Sequence, residues 1–390
     1  MVGYRAETRR DFLGSSLNSA AVFIVMSVFL FFKGEPQARG SSRGRVHTYY
    51  IAAEEVMWDY APKGKNLTGM PGGLEDDDQA ARHKLYLKSV YHEYTDDTFK
   101  TLKPRSPEWQ HLGILGPLIR AEVGDVIKVV FQNNTQISCS MHPHGLAYAK
   151  NSEGAMYNDG TSVDDKADDA VSPRQRYTYT WMVPERAGPG PGDPSSIVWM
   201  YHSHLVESRD LNAGLIGPII VSARGATKPD GTPKDVEREF ITAFAVFDET
   251  ESWYFEANAR NKREYSPGLA SLALTGSENL KFTDPILRQR YLFYSINGLI
   301  EGNLPMMTMK KGERVRWYLL ANSNEEDVHT VHWHGQTVLS HHMRTDMVEL
   351  GPMMMAVADM VPDSVGTWLF HCHVNEHLKN GMQGLFTITP

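Results

Sequence analysis

Two stretches of this chain are near-copies of one another. Trp199-Met-Tyr-His202-Ser203-His204 returns as Trp368-Leu-Phe-His371-Cys372-His373, and His142-Pro-His144-Gly145 returns as His332-Trp-His334-Gly335. Gly214-Leu215-Ile216-Gly217 parallels Gly381-Met382-Gln383-Gly384, with two extra residues in the first copy, and Gly124-Asp125 and Gly312-Glu313 open corresponding segments upstream. A repeat of this length means two homologous units. Their expected bounds are 45–222 and 237–390, joined by a polar, breaker-rich linker at 223–236.

Between the motifs, short runs rich in Val, Ile, Tyr, Phe and Trp alternate with Gly, Pro, Asn and Asp clusters. Examples lie at 125–131, 176–181, 215–221, 240–247, 314–320 and 367–370. Regular short strands with turn signals predict an all-β chain of two tandem Greek-key sandwiches or barrels. No long segment keeps a helical period, although 256–262 is spaced for a short helix. A net charge of −8 argues against a nucleic-acid partner.

On a strand, side chains alternate, so each His-x-His pair sends two imidazoles to one side and its central residue to the other. In the second unit that central residue is Cys372, followed by His377 and Met382, and His329 lies three residues before His332. Two imidazoles, a thiolate and a thioether form the donor set of a blue-copper electron-transfer centre. The first unit has Cys139, Ser203, Ser208 and Leu215 at the matching places, so this centre is expected in the second unit only. Its thiolate leaves Cys139 without a disulfide partner, since the chain has two cysteines.

Ten of the sixteen histidines fall in these clusters, whereas His47, His83, His92, His111, His341 and His342 read as ordinary core or surface residues. With His329 and His377 assigned to the blue centre, eight imidazoles remain: His142, His144, His202, His204, His332, His334, His371 and His373. They exceed the capacity of one mononuclear site and suit a small copper cluster. Zinc lacks the redox chemistry that would give the thiolate–thioether set a purpose.

The four motifs, in this order, resemble the multicopper oxidases. Glu108-Trp-Gln-His-Leu-Gly-Ile-Leu-Gly-Pro117, together with residues 51–60, 94–96, 201–204, 247–254 and 329–335, is similar to the ceruloplasmin and hephaestin branch of that family. Those proteins have six domains. Two units with blue copper in the second resemble bacterial two-domain laccases instead. The resemblance implies cupredoxin-like domains and four coppers per chain. His329, Cys372, His377 and Met382 would hold type 1, and His142 and His332 type 2. The type 3 pair would take His144, His202 and His373 on one copper and His204, His334 and His371 on the other. It further implies one-electron oxidation of a donor at type 1, passage of electrons through Cys372 to His371 and His373, and reduction of O₂ to water. Ligands from unlike units would meet between subunits of a homotrimer.

The resemblance also places Glu376, Gln289 and Tyr294 near electron entry, where ferroxidase relatives carry Glu and His in place of the last two. Phenols and low-valent metal ions both remain open as donors. Glu325, Glu326, Asp327, Asp346 and Glu349 add acidity near the ligands, and the runs Met306-Met307-Thr-Met309 and Met353-Met354-Met355 with Met360 offer soft sulfur. The alternatives are a copper carrier or electron-transfer protein, and a two-domain copper nitrite reductase. At the N-terminus, Thr8-Arg9-Arg10-Asp11-Phe12-Leu13 precedes an apolar run at 20–32 that is too short for an ordinary membrane span. It resembles a twin-arginine export signal, which predicts a periplasmic or extracellular protein with no stable membrane span after its removal.

Overall fold

The computed structural model describes residues 44–70, 85–261, 288–322 and 328–390. The twin-arginine segment, His83 and the acidic residues 325–327 lie outside them.

Among the described residues, strand-rich sequence gives four sheets. Up to residue 222, Val46–Trp58, Tyr86–Tyr94, Val126–Asn133, Ala147–Tyr148 and Arg176–Met182 form one sheet; His142–Pro143, Ser196–His202, Ile119–Glu122 and Ile216–Ser222 form the other. From residue 238, a six-stranded sheet centres on Arg238–Asp248 and Val315–Asn322. A five-stranded one centres on Gly366–Cys372 and Gln383–Thr389. The repeat holds at the level of pairing. Val46–Trp58 runs parallel to Val126–Asn133 as Arg238–Asp248 does to Val315–Asn322. Ile119–Glu122 likewise runs parallel to Ile216–Ser222 as Met307–Lys310 does to Gln383–Thr389. Among the described residues the α-helices are short: Glu207–Ala213, Phe255–Asn261 where the sequence spacing placed one, and Asn375–Lys379. Among the described residues, no helix is long and apolar enough to cross a membrane.

Val315–Asn322 is buried along its whole length, because its two faces serve different cores. Val315, Trp317, Leu319 and Ala321 pack with Val331, Phe370, Cys372 and Met382, whereas Tyr318 and Leu320 pack with Leu115, Val198, Met200 and Ile216 from the first half. The 223–236 segment, expected as a linker, is held in place by hydrogen bonds. The Glu122 carboxylate accepts from the amides of Gly225 and Thr227, at 3.1 and 3.0 Å, and Arg316 reaches Asp235 at 2.9 Å.

His111 stitches the halves together. Its Nδ1–H donates to the Glu108 carbonyl at 2.8 Å, and its Nε2 lone pair accepts from Ile241 N–H at 3.1 Å. Protonation would destroy that acceptor, and burial lowers the pKa from 6.5 to about 4. Because the folded pKa is depressed, the unfolded chain binds the proton first as pH falls. The contribution is therefore complete above about pH 6.5 and lost between there and about pH 4, on the order of 3 kcal/mol. Denaturant titrations from pH 7 to 4 should show this slope in the native chain and a shallower one in His111→Asn.

Candidate metal centres

The motif glycines and tryptophans are one packing unit. Gly145 and Gly335 sit at φ +73° and +67°, and a Cβ there would stand 2.3 Å from the Trp199 indole and 2.6 Å from that of Trp368. Each tryptophan thus seats the turn after one His-x-His pair against the strand bearing the next. Antiparallel pairing sets His142 opposite His202 and His332 opposite His371.

In the second half, the strand His329–Trp333 turns His329 inward, Gly366–Cys372 ends with Cys372 beside it, and Asn375–Lys379 carries His377 over both. Cys372 Sγ lies 3.5 Å from His377 Nδ1 and 3.9 Å from His329 Nδ1, and Thr330 N–H donates to the sulfur at 3.4 Å. Met382 closes the loop: its carbonyl accepts from Cys372 N–H at 3.2 Å and its amide donates to the His377 carbonyl at 3.0 Å. All four residues are buried, and Cys372 and Met382 share one apolar cluster. The structure thus brings the His329, Cys372 and His377 side chains together, with the Met382 backbone closing the loop beside them.

His371 and His373 face away from it and join His332 and His334. The rings of His332 lie 4.9, 5.2 and 5.3 Å from those of His334, His371 and His373. His334 Nε2 meets His371 Nε2 at 3.0 Å. The first half builds the same quartet: His144 Nε2 meets His202 Nε2 at 2.9 Å, and the rings of His142 and His204 are 5.1 Å apart. Among the described residues, no ring contact joins one quartet to the other.

These donors suit a redox-active cation. His142, His202, His332 and His371 each place Nδ1 at 2.7–3.0 Å from a backbone carbonyl, of Glu153, Ser203, Asp346 and Cys372 respectively. A carbonyl cannot donate, so Nδ1 carries the proton and Nε2 offers its lone pair. Burial and neighbouring imidazoles lower His144 and His371 from 6.5 to about 4 and push His202 well below its usual value. His144, His202 and His371 are therefore neutral at neutral pH, with lone pairs available to a cation.

The matching place in the first half is filled differently. Ser203 N–H donates to the Leu215 carbonyl at 3.1 Å, as Cys372 does to Met382, and Ser140 N–H donates to Ser203 Oγ at 3.0 Å, as Thr330 does to the sulfur. Sequence spacing set Ser208 against His377. In space Asp210 stands there, because the first-half loop is two residues longer. Its Oδ2 accepts from Ser203 Oγ at 2.7 Å and from the amides of Leu205 and Val206, and its Oδ1 accepts from Trp253 Nε1 at 2.7 Å. A carboxylate network replaces a ligand set, and the Cys139 thiol beside it is buried, which pushes its pKa up.

Around His377, the Tyr294 ring packs at 5.2 Å, Gln289 Nε2 donates to the Tyr294 hydroxyl at 3.4 Å, and His377 is only 4% exposed. Glu376 is exposed and accepts from Asn380 Nδ2 at 2.8 Å. Asp346 sits at the second quartet with Oδ2 3.9 Å from His332 Nδ1. Glu349 is exposed opposite Thr330. Met307, Met309 and Met360 are core residues, whereas Met306 and Met354 are exposed.

Two multicopper oxidase family models match this chain, over residues 111–226 and 273–390. Human hephaestin is 37% identical over 352 residues, covering 87% of this chain and 28% of hephaestin. Rat ceruloplasmin is 38% identical over 353 residues, covering 88% of this chain and 32% of ceruloplasmin. The chain thus spans less than a third of the length of these curated relatives. A solved multicopper oxidase superposes with a TM-score of 0.54 at 17% identity, covering 89% of this chain and 93% of that one. The blue copper oxidase from Nitrosomonas europaea gives 0.53 at 17%, covering 88% and 86%. These likenesses identify the fold as cupredoxin-like. With its paired sandwiches, its imidazole quartets and a sulfur-bearing donor set suited to copper, the chain belongs to the multicopper oxidase family.

Proposed function

We propose that this chain is an exported oxidase with the two-domain architecture of bacterial laccases that assembles as a homotrimer, takes single electrons from a small reducing donor and passes them to O₂. The observation that carries this reading is the pair of open imidazole quartets, each half of a larger donor set. Copper at the donors named above, four per chain, would supply the one-electron chemistry at the Cys372 set and O₂ reduction where quartets meet. The chain's own residues do the rest. Cys372 is covalently continuous with His371 and His373, so one strand spans the blue centre and the second quartet. The four carbonyls fix the imidazole tautomers, and the buried pocket of Phe244, Phe370 and Tyr294 excludes water from the sulfur.

Exposed apolar side chains rim both quartets: Met156 and Val206 beside the first, Met347 and Val361 beside the second. Such rims favour burial by another chain. Joining a first-half quartet to a partner's second-half quartet is a heterologous contact, which closes into a ring when the rotation permits. Electron entry is expected at His377 and the neighbouring Glu376. With Tyr294 packed over the imidazole and Glu376 exposed, the geometry favours a compact metal cation over a bulky phenol. The Thr8–Leu13 motif and the apolar run after it support export to the periplasm or beyond.

Native mass spectrometry with metal analysis tests the assembly. A trimer with about four coppers per chain is expected, and one copper per chain in a monomer would instead identify an electron carrier. Val361→Asp should break the ring, retain blue absorption and abolish O₂ uptake. Comparing O₂ uptake with Fe(II), Cu(I) and a methoxyphenol then tests the donor; turnover with the phenol alone contradicts the cation preference.

A further inference from the structure

Beneath the first-half quartet, a buried polar loop ties two of its histidines together. His142 Nδ1–H donates to the Glu153 carbonyl at 2.7 Å. The other end of that same peptide, Gly154 N–H, donates to Asp168 Oδ2 at 2.7 Å. The Gly154 carbonyl accepts from Ser140 Oγ at 2.6 Å, and that oxygen accepts from His204 N–H at 3.0 Å. Asp168 and Ser140 are both 0% exposed. Gly154 sits at φ +70°, where a Cβ would stand 2.4 Å from the Met141 carbonyl, and the Tyr179 hydroxyl donates to the Asp168 carbonyl at 2.8 Å. The loop is thus held at Gly154 and at Asp168, whose Oδ1 is buried without a hydrogen-bond partner among the described residues.

A peptide group polarises as a unit. An anion accepting from its N–H enriches its carbonyl oxygen, and hydrogen bonds in such chains reinforce one another. A stronger grip on Nδ1–H fixes the ring and makes Nε2 a better donor. The matching peptide of the second half lacks this device. His332 Nδ1–H donates to the Asp346 carbonyl at 3.0 Å, but the amide of that peptide, Met347 N–H, donates to the neutral Thr345 hydroxyl at 3.1 Å.

We propose that Asp168 is a positioning residue for metal binding at His142, acting through the 153–154 peptide and making the first half the stronger partner in a site shared with His332. The proposal rests on the four-copper reading above. It is tested on the copper-loaded full-length assembly carrying Asp168→Ala or Asp168→Asn, by chelator competition and by electron paramagnetic resonance of the non-blue Cu(II).

In Asp168→Ala, one copper per chain should be held about 10- to 100-fold less tightly. Its hyperfine splitting should change while the blue absorption per chain stays constant, which also reports that the protein folds. Asp168→Asn keeps an oxygen for Gly154 N–H without the charge and should restore most of the affinity with a smaller spectral change; it carries the test if the alanine variant does not fold. Native chelator titrations and native hyperfine splitting in Asp168→Ala overturn the proposal. Equal losses in both variants overturn the polarisation it invokes. A native chain binding one copper sinks the four-copper reading and this inference with it, whereas four coppers in the native chain together with an unchanged chelator titration in Asp168→Ala sink only the latter.

Discussion

Cys372→Ser should yield a colourless protein with no measurable donor-dependent O₂ uptake. The thiolate is the donor that gives a blue centre its colour, and the same residue is the covalent link to His371 and His373. A serine hydroxyl stays protonated near neutral pH and is a poor ligand for a soft cation. The chain contains its own control. Where the first half carries Ser203, the side chain donates to Asp210 at 2.7 Å, and Asp210 stands where the second half has His377. A serine at 372 has no such carboxylate; its nearest polar neighbours are His377, His329 and the Thr330 amide. Burying a less well-matched hydroxyl should also cost about 1–3 kcal/mol. Absorption spectra, oxygen-electrode traces and metal analysis read the three consequences separately. Retained turnover in this variant would contradict electron entry through Cys372.

Alternating apolar patterning was enough to expect the all-β fold and the strands around 125–131, 176–181 and 314–320. The motif spacing was enough to expect that His329, Cys372, His377 and Met382 lie together, because three of them sit within eleven residues, 372–382. What lay outside the sequence was anything set by through-space geometry. Ser208 matches His377 by count, but the longer loop and the helix Glu207–Ala213 bring Asp210 into that place instead. Asp168 has no signature relative to His142, since its influence runs through an intervening peptide. The polar composition of 223–236 reads as an interdomain linker and does not show that Glu122 and Arg316 fasten it. Separation of the two quartets within a chain is likewise invisible to spacing, because both halves build their pairs by identical strand registers.

Lys88→Met should destabilise the chain by about 3–5 kcal/mol, the cost of leaving a buried charge without its partner. Lys88 lies on Tyr86–Tyr94 of the first half and is 0% exposed. Its ammonium donates to Glu249 Oε1 at 2.5 Å, to the Tyr60 hydroxyl at 2.8 Å and to the Asn212 carbonyl at 2.7 Å, and stands 4.5 Å from the Phe247 ring centroid. Burial lowers its pKa and Glu249 opposes that fall, so the charge survives because the pair does. Glu249 and Phe247 belong to the second half, so this ion pair is also a joint between halves. Its loss should show as a lower denaturant midpoint and as unfolding of the two halves in separate steps, with the blue absorption lost only in the later one. The double variant Lys88→Met with Glu249→Leu removes both charges and should recover most of the midpoint, since buried pairs are commonly replaceable by apolar side chains of similar volume. It should not recover the single cooperative step if the pair also specifies how the halves meet. A single variant within about 1 kcal/mol of the native chain would instead mean that water reaches Glu249 when its partner is removed.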